Sequence, residues 1–168
     1  MIYKARSGQA SYGEAIGILL LDCFTPFIPG DVANATTYCF PVRFQKVEGL
    51  TTRRALGKDR TAFELLHTAA EELVSQGVRA ITGDCGFLAI HQRSLAAVLD
   101  VPVFLSSLLQ IPFIFSILGR DQKVGIITAD SKSLDETLLE AVGISSGERL
   151  VIRGMEDREN FSKAVIEE

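Results

Sequence analysis

Strand-like runs alternate with helix-like stretches throughout this chain of 168 residues, and this alternation restricts the fold more than any other feature. The run AIGILLLD at 15–22 is continuously apolar, as is typical of a parallel strand covered on both faces. The clearest helix is predicted over 59–77, where apolar residues recur at helical spacing and Gly77 ends the pattern. Further strands are predicted at 38–47, 78–82, 101–105, 123–130 and 149–155, and further helices at 86–100, directly after 105, at 133–143 and at 157–168. This order predicts an α/β protein built on parallel sheets.

The order of elements also divides the chain into two units. The polar segment GRDQK at 119–123 is the predicted seam. We therefore expect an N-terminal lobe at 1–120, with a parallel sheet and flanking helices, and the start of a second, similar α/β lobe at 121–168. The second unit has two predicted strands and then a helical segment with no further strand for it to cover. We accordingly expect the chain to be the front part of a longer protein.

Composition and charge narrow the class of partner. The formal charge is −4, and no basic cluster is longer than Arg53-Arg54, so we expect no nucleic-acid partner. The apolar segment 103–119 is shorter than the roughly 20 residues of a membrane span and contains Pro112 and several polar residues, so we expect it to be buried in protein.

The cysteines predict a reducing compartment, and the histidines argue against a metal site. Three cysteines occur without a CxxC motif or a secretory signal, which predicts reduced thiols in a cytoplasmic protein. His67 and His91 are the two histidines of the sequence, and neither has a second ligand at metal-binding spacing. We expect neither a metal nor another cofactor.

A thiol stands where the pattern RAITGDCGFLAIHQ changes from strand to helix, at residues 79–92. Ligands of parallel α/β proteins bind beyond the carboxyl ends of the strands, and Cys85 follows the predicted strand 78–82. Free N–H groups and the positive dipole end at a helix start favour an anion, so we expect the pKa of this thiol to be lowered. Gly83 and Gly86 would allow a tight turn and close approach to a ligand. The alternative is that Cys85 is a small buried hydrophobic residue, as free cysteines usually are.

Other polar side chains follow neighbouring strands and should lie at the same edge of the sheet. A Pro-, Asn- and Thr-rich loop follows the first strand, and further hydroxyl groups follow the strands at 101–105 and 123–130. The polar residues of the loop are Asp22, Cys23, Asp31, Asn34, Thr36 and Thr37, and the hydroxyl groups after the later strands are those of Ser106, Ser107 and Thr128. Each of them alone is an ordinary loop or cap residue, but their coincidence at one edge favours a binding site.

The segments RAITGDCGFLAIHQ, VPVFLSSLLQIPFI and KVGIITAD, in this order, resemble the aspartate/glutamate racemase family, including its hydantoin-racemase-like members. The resemblance covers about 12–153 of the chain. It implies two α/β lobes with the active site in the cleft between them and one cysteine from each lobe. One thiolate removes the α-proton of an amino acid, and the thiol on the opposite face returns a proton, without metal or cofactor.

Carried over by position, Cys85 corresponds to the front-lobe catalytic cysteine. The resemblance further implies substrate contacts from the turn around this cysteine, from the loop after the first strand and from the polar pair after 101–105. These residues are Thr82, Gly86, Phe87, Asp22, Asn34, Thr36, Thr37, Ser106 and Ser107. The resemblance also allows a homodimer.

Two departures from the family pattern affect the expected activity. The rear-lobe cysteine has no counterpart, and Cys23 lies on the same side of the sheet as Cys85, where it does not meet the opposite-face requirement. Gly86-Phe87 is less polar than the Asn-Thr of glutamate racemases, which argues against a plain acidic amino acid as substrate.

We expect a cofactor-independent racemase or epimerase acting on an amino acid or a related small carboxylic acid. One alternative is a one-cysteine enzyme, either a decarboxylase of malonate-like acids or a maleate-isomerase-like enzyme with Cys85 as nucleophile. The other is a non-catalytic module that binds a small acid, with the apolar stretch 103–118 forming an interface.

Overall fold

A computed structural model describes residues 4, 7–145 and 149–166 of the chain. Its larger sheet has four parallel strands in the spatial order β2-β1-β3-β4. The strands are β1 (Ile16–Leu20), β2 (Val42–Lys46), β3 (Ala80–Gly83) and β4 (Val103–Phe104). The prediction of an α/β protein with parallel sheets and flanking helices is confirmed.

The central strand β1 is apolar because protein covers both of its faces. Ile18 and Leu19 are fully buried on opposite faces of the sheet. Gly17 leaves room for the covering helix, since a Cβ atom there would lie 2.9 Å from the Cδ1 atom of Leu73. Strand β2 lies at the edge of the sheet, where the missing N–H of nearby Pro41 is tolerated.

The helix predicted over 59–77 forms α2 (Phe63–Ser75), preceded by a 3-10 turn at Arg60–Ala62. Its apolar stripe packs on the sheet, and Leu66, Ala70 and Leu73 are fully buried. The chain leaves the helix through Gly77 at a φ of +100°, a conformation that glycine adopts without strain.

The segment predicted as one helix at 86–100 consists of two different elements. Gly86–His91 form a 3-10 helix, and α3 (Gln92–Val98) follows it. The buried side chain of Gln92 ties α3 to the strand β4, because its Nε2 donates to the Val103 carbonyl at 2.8 Å and its Oε1 accepts from the Leu105 N–H at 2.9 Å. Two more short helices are α1 (Thr52–Leu56), which the sequence pattern did not predict, and α4 (Ile111–Ile117), which a 3-10 turn at Ser107–Gln110 precedes.

A second parallel sheet pairs β5 (Val124–Thr128) with β6 (Leu150–Gly154). Between them lies α5 (Glu136–Ala141), which is capped by Asp135, whose side chain accepts from the Leu138 N–H. After β6, α6 (Glu159–Phe161) continues into a π-helical turn at Ser162–Ile166. Some residues of the predicted elements lie outside the described part of the chain. This applies to the ends of the helix predicted at 157–168 and of the lobes predicted at 1–120 and 121–168. The lobe boundary remains a prediction.

The second sheet and its helix pack against the first unit through polar contacts as well as the core. The Lys58 ammonium donates to the Ser133 carbonyl at 3.0 Å and pairs with Asp135 at 2.8 Å. Arg93 donates to the Glu140 carbonyl at 3.1 Å. Within the residues that the structure covers, no helix is long and apolar enough to cross a membrane.

Candidate active site

A cavity of about 350 Å³ opens where the carboxyl ends of β1, β3 and β4 meet the end of β5. Its volume lies at the lower end of the range of small-molecule sites, roughly 300–1,000 Å³. The loop after β1, the short helix α1 and the segment after β6 complete its walls. The site therefore forms between the two sheets, at the edge where parallel α/β proteins bind ligands.

Cys85 lines this cavity, directly after the strand β3. Its backbone is extended at the start of the 3-10 helix, and its side chain makes no capping hydrogen bond there, but the nearby backbone N–H groups of Phe87 and Leu88 act to lower its pKa. These two donors favour the thiolate, as the sequence predicts. Burial outweighs them, and together with the nearby Asp84 carboxylate and Cys23 it raises the pKa of Cys85 to about 12. The prediction of a lowered pKa is therefore wrong, because desolvation of the thiolate exceeds the stabilisation by two N–H groups.

A second thiol and two carboxylates share the cavity with Cys85. Cys23 lies on the wall that follows β1, and the Thr25 hydroxyl donates to its sulfur at 3.9 Å. Asp84 follows β3, and its Oδ2 accepts the Leu21 N–H at 3.0 Å, which ties the ends of β1 and β3 together. Asp31 comes from the loop after β1. Among the lining residues that the structure describes, these two aspartates are the only charged side chains.

The hydroxyl groups predicted after β4 and β5 also reach the cavity. Ser106, Ser107 and Thr128 all line it. Ser106 caps the 3-10 turn after β4, where its Oγ accepts from the Leu108 N–H at 3.2 Å. Gly86 lines the cavity with an ordinary negative φ, and its missing side chain leaves room for Ser106, whose Oγ would lie 3.4 Å from an added Cβ atom.

Phe87 lines the cavity as predicted and is 5% exposed. Five of the predicted substrate-binding residues are not among those that line it: Asp22, Asn34, Thr36, Thr37 and Thr82.

Those five side chains instead form hydrogen bonds or ion pairs with other parts of the protein. Asp22 accepts the Gly49 N–H at 3.0 Å and pairs with Lys46 at 3.1 Å, and these contacts hold its pKa below the usual range. The Thr82 hydroxyl donates to the Phe104 carbonyl at 2.7 Å, between two strands.

Asn34, Thr36 and Thr37 belong to a short 3-10 turn that organises the loop after β1. The Asn34 side chain accepts from the Thr36 N–H at 2.8 Å and donates to the Phe27 carbonyl at 2.8 Å. The Thr37 hydroxyl donates to the Asp31 carbonyl at 2.6 Å. These residues thus support the segment that carries Phe27 and Asp31 to the cavity.

The sequence marks Asp31 as one polar residue of the loop after β1, but it does not single out four other residues that line the cavity: Asp84, Phe27, Leu134 and Phe161. The position of Asp84 at a strand end was a usable signal, since it stands beside Cys85. Nothing in the pattern marks Phe161, because it reaches the cavity only through the packing of the segment after β6. In the described part of the chain, no three His, Cys, Asp or Glu residues cluster as metal ligands would.

Comparison with known proteins gives one consistent result. The chain is 31% identical over 153 residues to dimethylsulfoniopropionate lyase 3 of Emiliania huxleyi, covering 88% of this chain and 40% of that protein. It is 31% identical over 154 residues to dimethylsulfoniopropionate lyase of Durusdinium sp. clade D, covering 88% of this chain and 51% of that protein. The chain thus spans about half or less of the length of these relatives. No profile of a known protein family matches the chain, and no solved structure is significantly similar to it.

These relatives correct the functional prediction. The expected membership of the aspartate/glutamate racemase family and the expected racemase or epimerase activity are wrong, because the relatives are all named lyases. An isomerase keeps all the atoms of its substrate, whereas a lyase breaks the substrate in two. The one-cysteine alternative is nearer to these names, although none of them is a decarboxylase or a cis-trans isomerase.

Proposed function

We propose that this protein is a lyase of dimethylsulfoniopropionate, or of a closely similar sulfonium carboxylate, with Cys85 as the base. The observation that carries the proposal is the position of this thiol, at a strand end in the wall of a cavity of small-molecule size. The alignment with lyases of this substrate, which covers 88% of the chain at 31% identity, supports the same conclusion.

The chemistry requires a single base. The substrate carries a carboxylate on one carbon and a dimethylsulfonium group on the next. When the Cys85 thiolate takes the proton beside the carboxylate, the C–H electron pair first moves onto the carboxylate as an enolate. It then returns to form a carbon–carbon double bond, and the C–S bond breaks with its electrons on sulfur. The products are acrylate, neutral dimethyl sulfide and a protonated Cys85, which returns its proton to water. No acid on the opposite face is needed, which agrees with one thiol at the end of β3.

The positive charge of the substrate stabilises the Cys85 thiolate, which the empty site does not. Burial raises the pKa of Cys85 to about 12, so little thiolate is present in the empty cavity at neutral pH. A sulfonium cation about 4 Å from the sulfur stabilises the thiolate by roughly 4 kcal/mol at an effective dielectric constant of about 20. That energy corresponds to about a thousandfold more thiolate. Binding of substrate thus raises the thiolate fraction of its own base from about 10⁻⁵ to about 10⁻² at pH 7.

The hydroxyl groups at the strand ends suit the other end of the substrate. As the proton leaves, negative charge develops on the substrate carboxylate, and hydrogen-bond donors placed there lower the barrier. Ser106, Ser107 and Thr128 offer such hydroxyls, because all three line the cavity and come from the ends of β4 and β5. In this scheme Cys85 moves the proton and these hydroxyls hold the carboxylate.

The experiment measures dimethyl sulfide in the gas phase and acrylate by NMR after incubation of the protein with dimethylsulfoniopropionate. We expect both products in equal amounts and a loss of roughly 10²–10⁴-fold in rate for Cys85→Ser, the usual effect of removing a general base. Cys39→Ser is the matched control, because Cys39 is an exposed free thiol outside the cavity, and its rate should equal that of the wild type. Product formation no faster than in buffer, or full activity of a folded Cys85→Ser variant, would overturn the proposal.

A further inference from the structure

The charged side chains among the described lining residues of the cavity are all acidic. Two carboxylates line it, Asp31 and Asp84, and no described lysine, arginine or histidine does so. A ligand with two carboxylates would meet only like charge there and would have no basic partner. A ligand with one cationic end meets a complementary charge.

An onium cation places unusual demands on its binding site. A dimethylsulfonium or a quaternary ammonium group has no N–H or O–H, so it offers no conventional hydrogen bond. Proteins bind such groups with aromatic faces and with the charge of a nearby carboxylate. The cavity has both, since Phe27, Phe87 and Phe161 line it together with the aspartates.

The loop after β1 brings an aromatic ring and a carboxylate to one wall. Phe27 and Asp31 are both half-buried lining residues of this loop. The Phe27 carbonyl accepts from the Asn34 side chain at 2.8 Å, and the Asp31 carbonyl accepts from the Thr37 hydroxyl at 2.6 Å. The Tyr38 hydroxyl donates to the Val32 carbonyl at 2.7 Å. These contacts hold the wall in place before any ligand arrives.

The two aspartates differ in what they already hold. One oxygen of Asp84 bonds to the Leu21 backbone across two strand ends, and this residue adjoins Cys85 in sequence. Asp31 uses its Oδ1 for the Ala33 N–H at 2.8 Å within its own loop. In the substrate the cation lies one carbon beyond the carbon that loses its proton. Asp31 belongs to the loop after β1, whereas Asp84 directly precedes the base in sequence and is tied to the strand ends, so we take Asp31 as the partner of the cation.

We infer that Phe27 and Asp31 form a subsite for a small onium cation and that Asp31 makes the cavity select onium carboxylates over uncharged ligands of the same shape. The inference rests on the proposed function in taking the ligand to be an onium carboxylate. Asn34 and Thr37 are positioning residues of this subsite, because they act through the backbone of Phe27 and Asp31.

Two ligands of equal shape test the inference without any turnover. The compound 3-(trimethylammonio)propionate carries the cation, and 4,4-dimethylpentanoate has a carbon atom in place of its nitrogen. Titration calorimetry on the wild type should show the cation binding at least about tenfold tighter than its neutral counterpart, a difference of about 1.4 kcal/mol. Asp31→Asn keeps an oxygen for the Ala33 N–H, and it should bring the two affinities to within about twofold of each other. Asp100→Asn removes a carboxylate from an exposed loop before β4, away from the cavity, and should keep the wild-type preference.

The outcomes separate this inference from the proposed function. Equal affinity of the wild type for the two ligands, no binding of either, or an unchanged preference in Asp31→Asn would overturn the onium subsite. Release of dimethyl sulfide in that case would leave the lyase proposal standing. A preference that depends on Asp31, without any release of dimethyl sulfide, would support the subsite and overturn the lyase.

Discussion

At the scale of single residues, the walls of the cavity decide the protonation state of Cys85, because desolvation of the thiolate raises its pKa to about 12. The place of Cys85 at a strand end, next to the backbone N–H groups that begin a 3-10 helix, follows from the local sequence pattern. Its protonation does not, because desolvation depends on the walls that distant segments place around the sulfur. The roles within the loop after β1 also depend on packing that the local pattern does not show. Asn34 and Thr37 hold the backbone of this loop, while Phe27 and Asp31 line the cavity.

The raised pKa of Cys85 makes a prediction about pH. Because that pKa is about 12, the thiolate fraction in the empty site rises about tenfold per pH unit from pH 7 to 10 without levelling off. The rate of alkylation of Cys85 by iodoacetamide, followed by peptide mass spectrometry, should rise in the same way. Alkylation of a free cysteine in a short peptide should level off above about pH 9. A plateau for Cys85 below pH 9 would show that its thiolate is not destabilised by burial.

At the scale of elements, length and periodicity decided what could be predicted. The thirteen-residue helix α2 shows its apolar stripe over several turns, so its position and its buried face follow from the sequence. The five-residue helix α1 has too few turns to show a period. The segment Gly86–His91 has apolar residues that fit either an α-helix or a 3-10 helix, and packing against α5 and the cavity decides between them.

Leu73 and Cys85 should differ in how much each contributes to the free energy of unfolding. Leu73 of α2 is fully buried against β1, and Leu73→Ala should lower the free energy of unfolding by about 2–5 kcal/mol. Cys85→Ala should cost clearly less, since it removes one sulfur from the wall of an existing cavity. Urea unfolding of the two variants measures both values. The reverse order would mean that Cys85 serves packing rather than chemistry.

At the scale of the whole molecule, the parallel α/β fold follows from the alternation of elements, whereas the reaction does not. Removal of a proton beside a carboxylate is the first step of racemisation and of elimination alike, so a thiol at a strand end fits both. The difference lies in where the electron pair goes next, which is decided by the leaving group on the substrate. Under the proposed function, the acidic and aromatic lining of the cavity selects a substrate with a cationic leaving group, and this lining comes together only when the two sheets and the loop after β1 are in place.

In the proposed reaction the Cys85 sulfur takes the substrate's proton, and hydrogen exchange measures this step directly. The analogue 3-(trimethylammonio)propionate has a poorer leaving group, and proton NMR in D2O follows the hydrogens beside its carboxylate. If Cys85 is the base, the wild type replaces these hydrogens with deuterium, and Cys85→Ser, folded and still binding the analogue, does not. Exchange at the wild-type rate in Cys85→Ser, or exchange only at the carbon that bears the ammonium group, would contradict this role of Cys85.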